Sequence, residues 1–95
     1  MRKLLGQIDR LIICFEEENK AREDIESINK LIIHYAELGD HKFVEMLRHR
    51  LELRKVDLDT WQTVGATLIN EMRLTDLGQV VLKELQESLR EGFKF

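Results

Sequence analysis

Proline is absent from this 95-residue chain, and cysteine occurs once, at Cys14. Without proline, every residue keeps its backbone donor, so helices can run without interruption. A single cysteine cannot form an intramolecular disulfide, which excludes a disulfide-stapled secreted scaffold and predicts a cytoplasmic protein. The longest unbroken apolar run, Leu11 to Phe15, is far shorter than the run of about 18 residues that a membrane-spanning helix needs. We therefore expect a soluble protein with no membrane partner.

A strong excess of one charge is also lacking. The chain has 15 Lys and Arg against 18 Asp and Glu, a net charge of −3. So small a net charge indicates neither a polyanion-binding protein nor an acidic tail. The apolar fraction of 43% is typical of a globular protein, and a chain of this length buries roughly 60 to 70% of the surface that its unfolded form exposes. We predict a single helical domain over residues 1–95.

Apolar residues recur at every third or fourth position, and no segment alternates as a strand does. This pattern predicts an all-α protein, a compact bundle of four to five helices built from short-turn antiparallel αα-hairpins. The first helix is predicted from Lys3 to about Glu18. It is an amphipathic helix rather than a signal peptide, because Asp9 and Arg10 interrupt its apolar stretch.

The first predicted break is a turn near Asn19. It separates the first helix from a second over about residues 21–38. That helix ends at Gly39, a residue suited to the left-handed conformation that follows many helices. No glycine or proline marks the break near Asn19, so one continuous helix over residues 3–38 is the open alternative.

Three aspartates mark the predicted starts of the later helices. Asp40 caps a third helix, which ends at a connection over residues 56–59. Asp59 and Asp76 each precede a glutamine by three residues, the spacing of a capping box, in which the Asp oxygen accepts a backbone amide. The short connections predict that neighbouring helices lie antiparallel. Gly92 closes the last helix.

The predicted third helix carries a wide apolar face. At about 100° per residue, its apolar side chains cover about half of its circumference: Phe43, Val44, Met46, Leu47, Leu51, Leu53 and Leu58. Arg50 and Arg54 fall within this arc. A helix that packs one stripe against a bundle needs a narrower face. The helix is therefore either central in the bundle or presents part of its surface to a partner.

One edge of that helix, formed by Met46, Arg50, Leu53 and Arg54, is the predicted partner-binding site. Met46 and Leu53 lie one heptad apart and flank Arg50, and Met and Arg are enriched at protein interfaces. In the alternative, each arginine lays its stem over the core and keeps its guanidinium in water. The predicted function is that of a non-enzymatic inhibitor, adaptor or assembly subunit. It binds another protein or associates with its own copy as a homo-oligomer.

A nucleic-acid-binding regulator is the alternative function. Residues 41–55 carry five cations against two carboxylates, a local charge of +3, and residues 16–26 carry a local charge of −4. A recognition helix has Asn, Gln, Ser or Thr among its cations to read base edges, and residues 41–55 contain none, so only phosphate contact remains. The opposite charges are expected to attract each other within the monomer or between copies.

No motif in the chain identifies a reaction, a cofactor or a small-molecule substrate. His41, Glu45 and His49 have a spacing that zinc ligands on a helix can adopt, but no fourth ligand is implied, so we interpret them as solvated surface. Cys14 has no catalytic base or nucleophile elbow in its sequence context. The isolated glycines do not form a phosphate-binding loop. We expect no catalytic, cofactor-binding or metal-binding residues.

Overall fold

The computed structural model describes residues 2–88, which form three α-helices. The helices are α1 over Arg2–Glu37, α2 over His41–Met72 and α3 over Asp76–Ser88. Short connections over residues 38–40 and 73–75 join them. The all-α prediction is confirmed for the described residues, and they form three helices instead of four to five. The predicted closing residue, Gly92, lies outside the described residues.

The turn predicted near Asn19 is wrong, because α1 continues through this position. Side-chain pairs one turn apart support the helix here: Lys20 Nζ lies 3.4 Å from Glu17 Oε1, and Arg22 Nη2 donates to Glu18 Oε1 at 2.7 Å. Such pairs stabilise a helix by about 0.2 to 0.5 kcal/mol each. The open alternative, a continuous helix through this polar segment, is the correct one.

The connection predicted over residues 56–59 is also helical, as part of α2. Thr60 Oγ1 donates to the Val56 carbonyl oxygen at 2.9 Å, so this hydroxyl is satisfied inside the helix. Asp59, the predicted N-cap, is an interior residue of α2. Its spacing from the following glutamine therefore marks no helix start.

Gly39 ends α1 as predicted. Its φ of 76° lies in the left-handed region that glycine adopts without steric cost. The Gly39 amide donates to the Ala36 carbonyl at 3.1 Å and the Asp40 amide to the Tyr35 carbonyl at 3.1 Å, which is the Schellman pattern of a helix end. Asp40 Oδ1 accepts from the Phe43 amide at 3.1 Å. The predicted N-cap of the following helix is thus confirmed.

Replacing Gly39 with Ala is expected to lower the free energy of unfolding by about 1 kcal/mol, because a left-handed backbone is costly for a residue with a Cβ. Nothing in the described part of the chain lies within 4 Å of the added Cβ, so the loss reports backbone conformation alone. Gly39→Asn should lower the free energy of unfolding by less, since Asn tolerates the left-handed backbone region. Urea unfolding followed by circular dichroism measures both variants. A Gly39→Ala variant as stable as the wild-type protein would contradict the assignment.

Thr75, one residue before the predicted capping aspartate, caps α3. Its Oγ1 accepts from the Gly78 amide at 3.0 Å, and its carbonyl accepts from the Gln79 amide at 3.0 Å. Asp76 is instead the first helical residue, and the Gln79 side chain donates to the Arg73 carbonyl at 3.0 Å rather than completing a capping box. The start was therefore predicted to within one residue, but the capping residue was wrong.

The described residues form two compact units, and α1 and α2 each contribute to both. We call residues 16–61 the hairpin unit, and residues 2–15 with 62–88 the terminal unit. In the terminal unit, Leu11, Cys14 and Met72 are the largest fully buried side chains. The single-domain expectation stays a prediction.

The hairpin unit has an apolar core between its segments of α1 and α2. Ile28 from α1 packs with Leu47 and Leu51 from α2, and partly buried apolar side chains surround them: Ile25, Ile32, Tyr35 and Phe43. The rings of Tyr35 and Phe43, close to the connection, have centroids 4.4 Å apart. The two segments therefore pair antiparallel, and α2 buries one edge of its apolar arc here.

Candidate protein-interaction surface

All four predicted partner-binding residues lie together on α2, within the hairpin unit. Met46, Arg50, Leu53 and Arg54 line one open groove of about 530 Å³, which we call the α2 groove. Its other lining residues are Phe43, Leu47, His49 and Asp57. Most of these residues are spaced three or four apart, so they lie on one side of the helix. Spacing alone was therefore enough to predict that these four residues share one side of the helix.

The apolar part of the groove is exposed. Met46 is 67% exposed and Leu53 is 54% exposed, whereas Val44, Leu47 and Leu51 on the same helix are buried. The wide apolar arc of α2 thus divides into an edge that packs in the core and an edge that remains at the surface. In the hairpin unit, this arc is wider than its packing against α1 requires.

Arg54 is held between two carboxylates of the hairpin unit. Its Nε lies 3.0 Å from Asp24 Oδ2, and its Nη1 donates to Asp57 Oδ2 at 3.2 Å. Because Asp24 belongs to α1, this ion pair links the acidic residues 16–26 to the basic residues 41–55 within the monomer. All three side chains are more than a third exposed, so the pairs contribute at most about 1 kcal/mol each.

Arg50 differs from Arg54 in its lack of an acidic partner. Within residues 2–88, the ion pairs of the hairpin unit do not include its guanidinium. The side chain is exposed, and Met46 and Leu53 lie on either side of it along the helix. A guanidinium with apolar neighbours and no acceptor among the described residues is available to a carboxylate of another molecule, with which it can form a charge-assisted hydrogen bond.

Most of the basic charge on this helix is neutralised locally. Three of the five cations in residues 41–55 pair with carboxylates of the same unit: Arg48 with Glu45, Lys55 with Glu52, and Arg54 with Asp24 and Asp57. Among the described residues, Lys42 and Arg50 are the two that remain outside these pairs. The local charge of +3 already counts Glu45 and Glu52, and it overstates the positive potential that a polyanion would meet because Asp24 and Asp57 add two negative charges at Arg54.

Sequence reasoning missed Asp57 as a groove residue. Asp57 follows Arg50 by seven positions and Arg54 by three, so both spacings place it on the same side of the helix. The signal was obscured because residues 56–59 were predicted to be a connection. The continuous helix makes Asp57 the carboxylate of the groove.

A second groove, in the terminal unit, was not predicted either. Its volume is about 670 Å³, and its lining residues are Lys3, Leu4, Gln7, Glu71, Leu74, Thr75 and Leu77. Leu74 is 83% exposed. Gln7 Nε2 donates to Glu71 Oε2 at 3.4 Å, a contact between residues far apart in sequence. Local patterns carry no information about such a pairing, so this groove had no signal in the sequence.

The metal-ligand spacing of His41, Glu45 and His49 does not correspond to a cluster in the structure. In the part of the chain that the structure describes, no group of three or more His, Cys, Asp or Glu side chains is placed to hold a metal ion. None of the three described helices combines the length and the apolar composition that a bilayer crossing requires.

Comparisons of the chain with protein-family models, curated proteins and solved structures gave no match. The function is therefore inferred from the chemistry of the α2 groove itself.

Proposed function

We propose that this is a small non-enzymatic helical protein that acts by binding another protein, or its own copy, through the α2 groove. Inhibitor, adaptor and assembly subunit are all consistent with such a surface. One observation carries the proposal: Met46 and Leu53 are exposed on either side of Arg50, whose guanidinium is outside the ion pairs of the described residues. The single cysteine, Cys14, supports a cytoplasmic location.

The energetics of such a surface favour a protein partner. Covering the exposed parts of Met46 and Leu53 stabilises a complex by about 1 kcal/mol or more per side chain. An arginine that donates to a partner's carboxylate where water is excluded is a frequent hot spot of a protein interface. Apolar contact and a fixed charge together provide both affinity and orientation.

Photo-crosslinking from the groove tests this proposal. A benzophenone amino acid replaces Met46, and irradiation in the native host should give covalent protein adducts. The matched control replaces Ile33, which is 61% exposed in the same unit but does not line the groove. We expect adducts from position 46 that Arg50→Glu abolishes, and none from position 33. The absence of any adduct at position 46, or equal adducts at both positions, would contradict the proposed surface.

The nucleic-acid-binding alternative has less support. Three of the five cations that suggested it are paired with carboxylates of the hairpin unit. Phosphate contacts depend on cations that can release counterions from the nucleic acid, and a cation already paired within the protein contributes less. This alternative stays an untested prediction.

A further inference from the structure

We propose that the partner of the α2 groove is a second copy of this chain. The two copies of α2 pack antiparallel about a two-fold axis near Leu53. The Arg50 guanidinium of each copy donates a hydrogen bond to the Asp57 carboxylate of the other copy. This inference deepens the proposed function and rests on it, since it identifies which protein the groove binds.

The charge pattern along the groove favours a second copy. Arg54 contacts two carboxylates, Asp24 and Asp57, so this cluster has one more negative charge than positive charge. Arg50 supplies one unbalanced positive charge seven residues earlier on the same helix, about 10 Å away along the axis. Arg50 and Asp57 both line the α2 groove, and Asp24 lies beside the groove, on α1, where it contacts Arg54. Together with Asp24, the α2 groove is therefore a dipolar surface, positive at Arg50 and negative at Asp57.

Two-fold symmetry pairs the two ends of this surface with each other. A two-fold axis between two antiparallel helices brings residue i of one copy opposite residue j of the other, and residue j opposite residue i. Placed midway between Arg50 and Asp57, the axis passes close to Leu53. Arg50 of each copy then lies opposite Asp57 of the other copy. The exposed Leu53 side chain is covered by the other copy. Arg54 also lies near the axis, but Asp24 and Asp57 of its own copy pair with its charge, so the surface is complementary to itself.

The residue spacing along the groove suits contact with a second helix. Met46, Arg50, Leu53 and Asp57 follow one another at intervals of four, three and four, so they form one continuous stripe along the helix. A helix with this spacing packs along its length against a second helix. Among residues 2–88, the groove is lined by α2 alone, so such a helix has room to lie beside it.

These features favour a second copy over an unrelated acidic helix. An acidic helix would provide a carboxylate for Arg50 but would also bring negative charge toward Asp57 and Asp24. Like charges at an interface disfavour a complex strongly. A second copy meets Arg50 with a carboxylate and Asp57 with a guanidinium, so it satisfies both ends of the groove.

Charge reversal at the two ends tests the inference, with molar mass measured by size-exclusion chromatography and light scattering. The wild-type protein should be a dimer. Arg50→Glu places two carboxylates opposite each other, and Asp57→Arg places two guanidinium groups opposite each other, so each variant alone should dimerise at least about tenfold more weakly. An equimolar mixture should recover the dimer. In the mixed pair, the introduced glutamate meets the introduced arginine, and the remaining Asp57 meets the remaining Arg50.

Arg48→Glu is the matched control. It makes the same change of charge on the same helix, but Arg48 does not line the groove, so this variant should remain a dimer. Circular dichroism checks that every variant is helical. If Asp57→Arg does not fold, Leu53→Cys gives a second readout. Oxidation with diamide should link two copies through this position, and Ile33→Cys should not link; the native Cys14 is buried.

The outcomes separate this inference from the proposed function. A wild-type protein that is monomeric at high concentration overturns the inference, and so does a mixture of variants that stays monomeric while the wild type dimerises. In either case, adducts at position 46 with the mass of a different protein would leave the proposed function standing. Adducts with twice the mass of the chain support both.

Discussion

Gly78→Ala is expected to lower the free energy of unfolding by about 3 kcal/mol, at the upper end of the usual cost of overpacking. A Cβ at this position would overlap the carbonyl oxygen of Met72, and it would lie 2.7 Å from Thr75 Oγ1 and 2.8 Å from the Met72 carbonyl carbon. Two of these atoms belong to the backbone, so no side-chain rotation relieves the clash. The tight connection between α2 and α3 must shift instead, and with it the Thr75 cap.

Gly65→Ala is the matched control for this substitution. Gly65 is also a buried helical glycine, but within the described part of the chain its Cβ would meet only Cys14 Cβ, at 3.8 Å, which is ordinary van der Waals contact. Since Ala has the higher helix propensity, this variant should be as stable as the wild type or gain up to about 1 kcal/mol. Thermal unfolding followed by circular dichroism should show a melting temperature about 15 °C lower for Gly78→Ala. Equal melting temperatures for the two variants would show that the connection is not as tight as described.

Leu11→Ala should destabilise the protein by about 3 to 4 kcal/mol. Leu11 is fully buried, at 0% exposure, and lies in the terminal unit. Truncating a fully buried leucine loses the transfer free energy of the removed carbons and leaves a cavity that the surroundings fill only in part. No other single truncation in the described core removes a more deeply buried side chain.

Leu5→Ala makes the same chemical change on the same helix at a position that is 54% exposed, and it should alter stability by no more than about 0.5 kcal/mol. Urea unfolding measures both variants. We expect a lower midpoint for Leu11→Ala at an unchanged slope, since the surface exposed on unfolding stays the same. Similar midpoints for the two variants would indicate that Leu11 is not a core residue.

Sequence reasoning succeeded where local backbone chemistry decides the structure. Gly39 and Asp40 were assigned correctly, because a left-handed C-cap and an Asp N-cap depend on a few neighbouring residues. It failed near Asn19 and at residues 56–59, where polar segments suit a turn or an exposed helix face equally well. The choice there depends on side-chain pairs one turn apart and on packing against the other helix. Neither follows from polarity alone.

The candidate surface shows the same division. Helical spacing predicted that Met46, Arg50, Leu53 and Arg54 share one edge, and they do. The sequence also indicated attraction between the acidic segment and the basic helix, but it gave no means of identifying the Asp24 to Arg54 pair. That pair depends on how α1 and α2 align across the hairpin unit, a tertiary property. The pair also distinguishes Arg54 from Arg50, although the two arginines are equivalent in the sequence pattern.

The uninterrupted course of α2 through residues 56–59 gives the groove a fixed length scale. Seven residues of regular helix hold Arg50 and Asp57 about 10 Å apart along the helix axis before any partner binds. Had a turn divided them, binding would carry the entropic cost of selecting one separation from many. A preorganised backbone leaves only the side chains to adapt, and Met46, with its flexible thioether, is well suited to that adjustment.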